Sequence, residues 1–178
     1  MIFFVSDLHL SAQTPTLTRI FLDFLGSRAR AAEALYILGD LFEYWVGDDD
    51  LEDPANAAIA GALRELSDSG VELNIMRGNR DFLFGERFAA ATGARLLTDP
   101  HVLSLPAWQF VLSHGDMLCT DDAEYQAFRT QSRAAEWQTA FLAKPLAERR
   151  AIARALREQR EAGKHAKAQG NNAYLTAL

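Results

Sequence analysis

The chain has 178 residues, 49% of them apolar, with 11 Phe, 3 Trp and 4 Tyr; it can enclose one sizeable core and is too apolar to be disordered. A single cysteine, Cys119, excludes a disulfide framework or a cysteine-ligated zinc site, and no run of about 18 uncharged apolar residues offers a membrane-spanning helix. The net charge of −6 is unevenly spread: residues 129–167 hold ten Lys/Arg against four Glu, while the remainder holds 8 basic and 20 acidic residues, an acidic body with a basic appendage.

In chain order, Ile2 to Val5 is an apolar run of strand type that ends at Ser6-Asp7. It reaches Asp7 and His9 too early for a signal peptide, so a cytosolic chain is expected. Residues 15–29 have helical spacing behind Thr14-Pro15, a cap followed by proline in the first turn. Ala34 to Leu38 reads as a second strand ending at Gly39-Asp40, and residues 54–68 as a helix stopping before Gly70. Val71 to Met76 reads as a third strand ending near Gly78-Asn79, followed by a helix over about 82–92. Two strands, 101–105 and 108–113, meet at Pro106-Ala107, and the second leads into Ser113-His114-Gly115-Asp116. From Tyr125 to residue 162 there is no strand signal, only two or three helices broken at Pro145, on which Arg154, Arg157, Arg160, Lys164 and Lys167 share a broad face.

Strand, crossover helix, strand implies a mainly parallel sheet whose ligands gather at the carboxyl ends of its strands. Four strands here finish on a group of metal-ligand type: Asp7, Asp40, Asn79 and His114. In Asp7-Leu8-His9 a carboxylate and an imidazole two residues apart on extended backbone point to one side, so both are open to one cation. Gly39 and Gly78 allow backbone to come close beside Asp40 and Asn79. Carboxylate, amide and imidazole donors together suit manganese, iron or zinc. Two neighbouring metals are the usual device for phosphoester hydrolysis.

The ordered series D-x-H, G-D, G-N-[HR]-D and H-G, 33 to 39 residues apart, resembles the calcineurin-like metallophosphoesterases. Within them, the runs Gly39 to Asp50, Gly78 to Leu83 and His114 to Asp122 are similar to the UDP-2,3-diacylglucosamine hydrolase branch, over nearly the whole chain. The resemblance implies an α/β fold, the four-layer αββα sandwich with an inserted helical cap, here divided as core 1–124, cap 125–168 and a return to the core at 169–178. It implies Asp7 and His9 as ligands of one manganese, Asn79 and His114 of a second, and Asp40 bridging them, with Asp40, Asn79 and His114 as the catalytic set. It implies hydrolysis of UDP-2,3-diacylglucosamine to UMP and 2,3-diacylglucosamine 1-phosphate in lipid A synthesis, by water attacking the α-phosphate. Where many relatives have an acidic histidine this chain has Arg80, whose planar fork suits a phosphate. Substrate contacts are implied at Asn79, Arg80, Asp122, Lys164 and Lys167, with Arg160 standing where the branch has a serine.

The branch ends in a G-H-x-H motif, and no histidine follows His165 here, so the chain is expected to stop short of two metal ligands and the closing strands. An enzyme cut short, a catalytically dead ligand-binding domain and a phosphoesterase for a different nucleotide all remain open on the sequence. An acylated substrate implies peripheral attachment to the cytoplasmic face of the bacterial inner membrane through the basic, apolar cap. The acidic body disfavours nucleic acid, and no obligate protein partner is evident. His101 and His165 are expected at the surface, Asp48-Asp49-Asp50 as a solvated loop, Cys119 as a buried thiol, and Phe128, Trp137 and Phe141 either packing the cap on the body or lining acyl chains.

Overall fold

Alternation along the strands decides how the layers stack. In strand β2 (Ala34–Leu38), Leu35 and Ile37 face one way and Ala34 and Tyr36 the other, and all four are buried, as in a sheet covered on both faces. The structure, a computed structural model, describes residues 1–158. Strands β1 (Ile2–Val5), β2, β3 (Glu72–Met76) and β4 (Arg95–Leu97) form a parallel sheet in sequence order. Strands β5 (His101–Leu105) and β6 (Trp108–Leu112) form an antiparallel hairpin.

Helices α1 (Pro15–Gly26), α2 (Pro54–Asp68) and α3 (Glu86–Thr92) lie in the crossovers between the parallel strands. Phe21, Leu25, Ile59, Leu63 and Leu66 join Leu35, Ile37, Leu73 and Ile75 in one core. Ala34, Tyr36, Met76 and Leu97 meet Leu103 of the hairpin in a second, on the opposite face. The described residues thus supply helices, parallel sheet and hairpin as successive layers. On the hairpin, Val102 and Val111 are exposed.

After the hairpin, α4 (Ala123–Arg133) and α5 (Ala135–Leu142) follow, and backbone over 146–158 is helical. Asp122 caps α4, its carboxylate accepting the Tyr125 N–H at 3.0 Å. This helical region is clamped to the body by the run expected to be a solvated loop. Asp48 accepts the Trp45 indole N–H at 3.2 Å and the Gly85 and Phe88 N–H groups at 3.0 and 2.9 Å, so it caps α3. Asp49 receives two N–H groups of the buried Arg149, which also donates to the carbonyls of Val46 and Lys144. Asp50, 1% exposed, accepts the Val46 N–H and pairs with Arg150 at 2.7 Å. The three carboxylates are drawn inward because each meets a donor that burial would otherwise leave unpaired.

Three further corrections to the sequence reading follow. α3 begins at Glu86 rather than 82, because Phe82 to Phe84 are taken up by the turn over Asp81. β4 falls between Gly93 and His101, where the sequence offered no strand signal. Cys119 is exposed, since the backbone there passes through the short turn after Gly115 at the surface.

Candidate metal centre

The residues at the strand ends are placed by strained backbone. Asp7, His9 and Asp40 have φ of +54°, +48° and +54°, a left-handed region that non-glycine residues occupy at a cost of about 1–3 kcal/mol each. Hydrogen bonds hold it there: Asp7 N–H donates to Gly39 O, His9 N–H to Asp40 O and Leu10 N–H to Leu41 O, at 2.9–3.1 Å. A side chain at Gly39 is impossible, because its Cβ would lie 2.6 Å from His114 Nδ1 and 2.7 Å from Gly78 Cα. Beneath the site, Asp81 is fully buried and accepts the N–H groups of Gly78, Leu41, Asp40 and Phe42 at 2.7–3.4 Å.

Asp40 is central and 2% exposed. Its Oδ2 is 3.8 Å from His9 Nε2, and its Oδ1 is 3.6 Å from His114 Nε2 and accepts the Arg80 N–H at 2.9 Å. Donor atoms of Asp7, Asp40 and His114 all lie within 4.8 Å of one another. His114 Nδ1 sits 2.9 Å from the Leu38 carbonyl, which only accepts, so Nδ1 carries the proton. His114 Nε2 then faces Asn79 Oδ1 at 3.1 Å and Asp40 Oδ1 at 3.6 Å. With Nε2 unprotonated these are three acceptors facing one another, an arrangement that a cation among them relieves. Burial pushes the Asp40 carboxyl above its ordinary range, against the Arg80 hydrogen bond and the nearby His114, His9 and Arg80. Burial and then the charge of Asp40 push Asp81 up to about 7. Two neighbouring buried carboxylates are what a divalent cation relieves, so the donor set fits such an ion.

The structure therefore brings Asp7, His9, Asp40 and Asn79, from the carboxyl ends of the parallel strands, together with His114 from the hairpin, and Arg80 stands beside them. Asp122 is exposed at the start of α4. Arg160, Lys164 and Lys167, like His165 and the stretch 169–178, lie outside the described residues.

Glu43 is a site residue that the sequence reading did not single out. Its carboxylate, 11% exposed, is 3.1 Å from Arg157 Nε, 3.6 Å from an Arg80 nitrogen and 3.9 Å from His9 Nδ1. Its place in the run from Asp40 to Glu43 was the available signal. Next to it opens a cleft of about 650 Å³, in part open to solvent. Asn79, Arg80 and Glu43 stand at its polar end, and Phe82, Phe128, Trp137, Phe141, Ile152 and Leu156 form its apolar walls. The Trp137 ring stacks on Phe141, meets Phe128 edge to face and lies tilted against Phe82. Packing of helix on body and formation of an apolar cleft are thus done by the same side chains. Arg80 Nε is buried with no hydrogen-bond partner among the described residues, a donor left for an anion.

The chain is 56% identical over 163 residues to a UDP-2,3-diacylglucosamine hydrolase of Chromobacterium violaceum, covering 92% of this chain and 68% of that one. It is 51% identical over 175 residues to the protein of the same name in Stenotrophomonas maltophilia, covering 98% of this chain and 70% of that one. Among solved structures it is similar to the Pseudomonas putida nuclease MPE, at 24% identity over 57% of this chain and 49% of that one, with a TM-score of 0.43. No protein-family model matches the chain.

Proposed function

The chain belongs to the UDP-2,3-diacylglucosamine hydrolase family, and on that premise we propose that it hydrolyses the pyrophosphate of UDP-2,3-diacylglucosamine. Water adds to the α-phosphorus, the bond from that phosphorus to the bridging oxygen breaks, and the products are UMP and 2,3-diacylglucosamine 1-phosphate. The observation that carries this reading is the convergence of potential ligand atoms of Asp7, Asp40 and His114 within 4.8 Å of one another, with Asn79 Oδ1 3.1 Å from His114 Nε2.

Asp7 and His9 would hold one divalent ion and Asn79 and His114 a second, with Asp40 a ligand shared by the two. Manganese fits the mixed carboxylate, amide and imidazole set. When bound, such ions supply Lewis-acid charge for phosphoester cleavage. The chain's own contribution is placement. Leu38 holds the His114 Nδ1 proton, the Asp81 hydrogen bonds fix the Asp40 loop, and Arg80 offers to a phosphoryl oxygen its Nε, which has no partner among the described residues. The apolar walls of the adjoining cleft suit the acyl chains.

The test is release of UMP from UDP-2,3-diacylglucosamine by the 178-residue chain with and without manganese. Manganese-dependent release that Asp40→Asn abolishes is expected. A chain that binds manganese and releases no UMP overturns the hydrolytic reading. An acylated substrate also calls for peripheral attachment to a membrane, on the cytoplasmic face of the bacterial inner membrane; Leu142 on the helical region is exposed and available for it. Flotation with anionic liposomes at low salt checks this, and protein left at the bottom of the gradient counts against it.

A further inference from the structure

Helix α4 carries Tyr125, Arg129 and Arg133 four residues apart, on one face. All three reach the same oxygen. Asp116 Oδ2 accepts from Tyr125 Oη at 2.5 Å, Arg129 Nε at 2.9 Å and Arg133 at 3.5 Å. Asp116 is 7% exposed and stands two residues after His114. Arg133 makes a second bond, donating to the Gly78 carbonyl at 2.9 Å, one residue before Asn79. Its guanidinium also lies 5.1 Å from the centre of the Phe82 ring. One guanidinium thus joins the two loops that deliver Asn79 and His114, and joins both to the helical region.

We propose that Arg133, anchored by Asp116, is a positioning residue for the Asn79–His114 half of the metal centre, so that docking of α4 sets the gap between these two ligands. The inference rests on the metal reading above. The Gly78 N–H is already committed to Asp81 at 2.8 Å, and the Arg133 bond holds the carbonyl of the same residue. With both fixed, the peptide leading to Asn79 has one orientation. Binding of the ion and docking of α4 then favour each other.

Arg149 supplies the contrast that separates positioning from mere attachment. It is 3% exposed and bonds Val46, Asp49 and Lys144, none of which belongs to either loop. It fastens the helical region to the body without touching the ligand-bearing turns.

The test titrates the full 178-residue chain with manganese alone, following free ion by electron paramagnetic resonance, and records thermal midpoints without metal. Arg133→Met keeps chain length and removes the donors. It is expected to weaken manganese binding about tenfold or more, while Arg149→Met lowers the metal-free midpoint and leaves affinity within about twofold. Arg133→Lys, which keeps charge but not the fork, falls between the parent and Arg133→Met. Should Arg133→Met fail to fold, Asp116→Asn is judged by the same criteria. Unchanged affinity in Arg133→Met, or an equal loss in Arg149→Met, overturns the inference. A parent chain that binds no manganese overturns the metal reading itself and the inference with it.

Discussion

The carboxylate of Asp81 lies directly beneath the backbone of Asp40, accepting the Asp40 N–H at 3.2 Å and the next N–H, that of Leu41, at 2.7 Å. The same carboxylate takes Gly78 N–H at 2.8 Å, so it ties the turn after β2 to the turn after β3. Asp81→Ala strips at least three buried N–H groups of their acceptor, at about 1–3 kcal/mol each. A drop of about 3 kcal/mol or more in unfolding free energy is expected by urea denaturation. A loss under about 1 kcal/mol contradicts the bridging role.

Gly78 is where the two turns touch. A Cβ there would sit 2.2 Å from Asp40 Oδ1 and 2.3 Å from Asp40 N, both parts of the fixed turn. Gly78→Ala is therefore expected to displace the Asp40 carboxylate and weaken manganese binding about tenfold or more in a direct titration. Gly61, exposed within α2 with nothing within 4 Å of its would-be Cβ, is the control. Gly61→Ala is expected to leave metal binding unchanged and to stabilise the fold by about 1 kcal/mol. Equal metal affinity in both variants would sink the steric argument.

The strand-end residues were legible in the sequence because short apolar runs of strand type each end on a potential ligand, and parallel pairing carries the ends of β1, β2 and β3 to one edge, which His114 joins from the antiparallel hairpin. The order of the motifs carried the family as well. β4 was not legible because three residues, Arg95 to Leu97, show no periodicity of their own; pairing with β3 makes the strand. Nor was the docking of the helical region. Arg149 and Asp49 are one hundred residues apart, and Arg133 is 55 residues from the Gly78 carbonyl it holds. Neither spacing belongs to a helix or strand period, so the acidic run at 48–50 looked like a solvated loop until its partners were placed. Glu43 escaped notice for a like reason, since Arg157 reaches it from the helical backbone over 146–158.

Phe42, Trp45, Phe84 and Phe88 form an aromatic cluster behind the site, with the Phe84 and Phe88 rings stacked at 4.0 Å between centroids. Phe88 is fully buried and belongs to α3, whose N-terminus Asp48 caps. Phe88→Ala removes the stack and opens a cavity, at a cost of about 3–5 kcal/mol. Calorimetry or urea denaturation is expected to show that loss with a much smaller change in metal affinity than Gly78→Ala gives, because Phe88 meets the Asp40 turn only through the Phe42 ring and contacts no ligand side chain. A change in affinity as large as that of Gly78→Ala would contradict the separation of core from site.

The Asp49–Arg149 pair makes docking of the helical region depend on pH in a stated direction. The Arg149 hydrogen bond, opposed by burial and helped by the guanidinium charge, holds the Asp49 carboxyl below its ordinary range. A carboxyl depressed on folding contributes stability above its unfolded value, near about 3.9, and loses that contribution as pH falls through the lower folded value. Asp49→Asn removes the contribution at every pH. The gap in urea midpoint between parent and Asp49→Asn is therefore expected to be constant from neutral pH down to about 5, and to shrink as pH falls below about 4. Arg149 keeps its bonds to the Val46 and Lys144 carbonyls in the variant, so the helical region remains attached and the comparison isolates the carboxylate. A gap that holds its full size to about pH 2.5 would show that Asp49 adds nothing through its charge, leaving attachment to the carbonyl bonds alone.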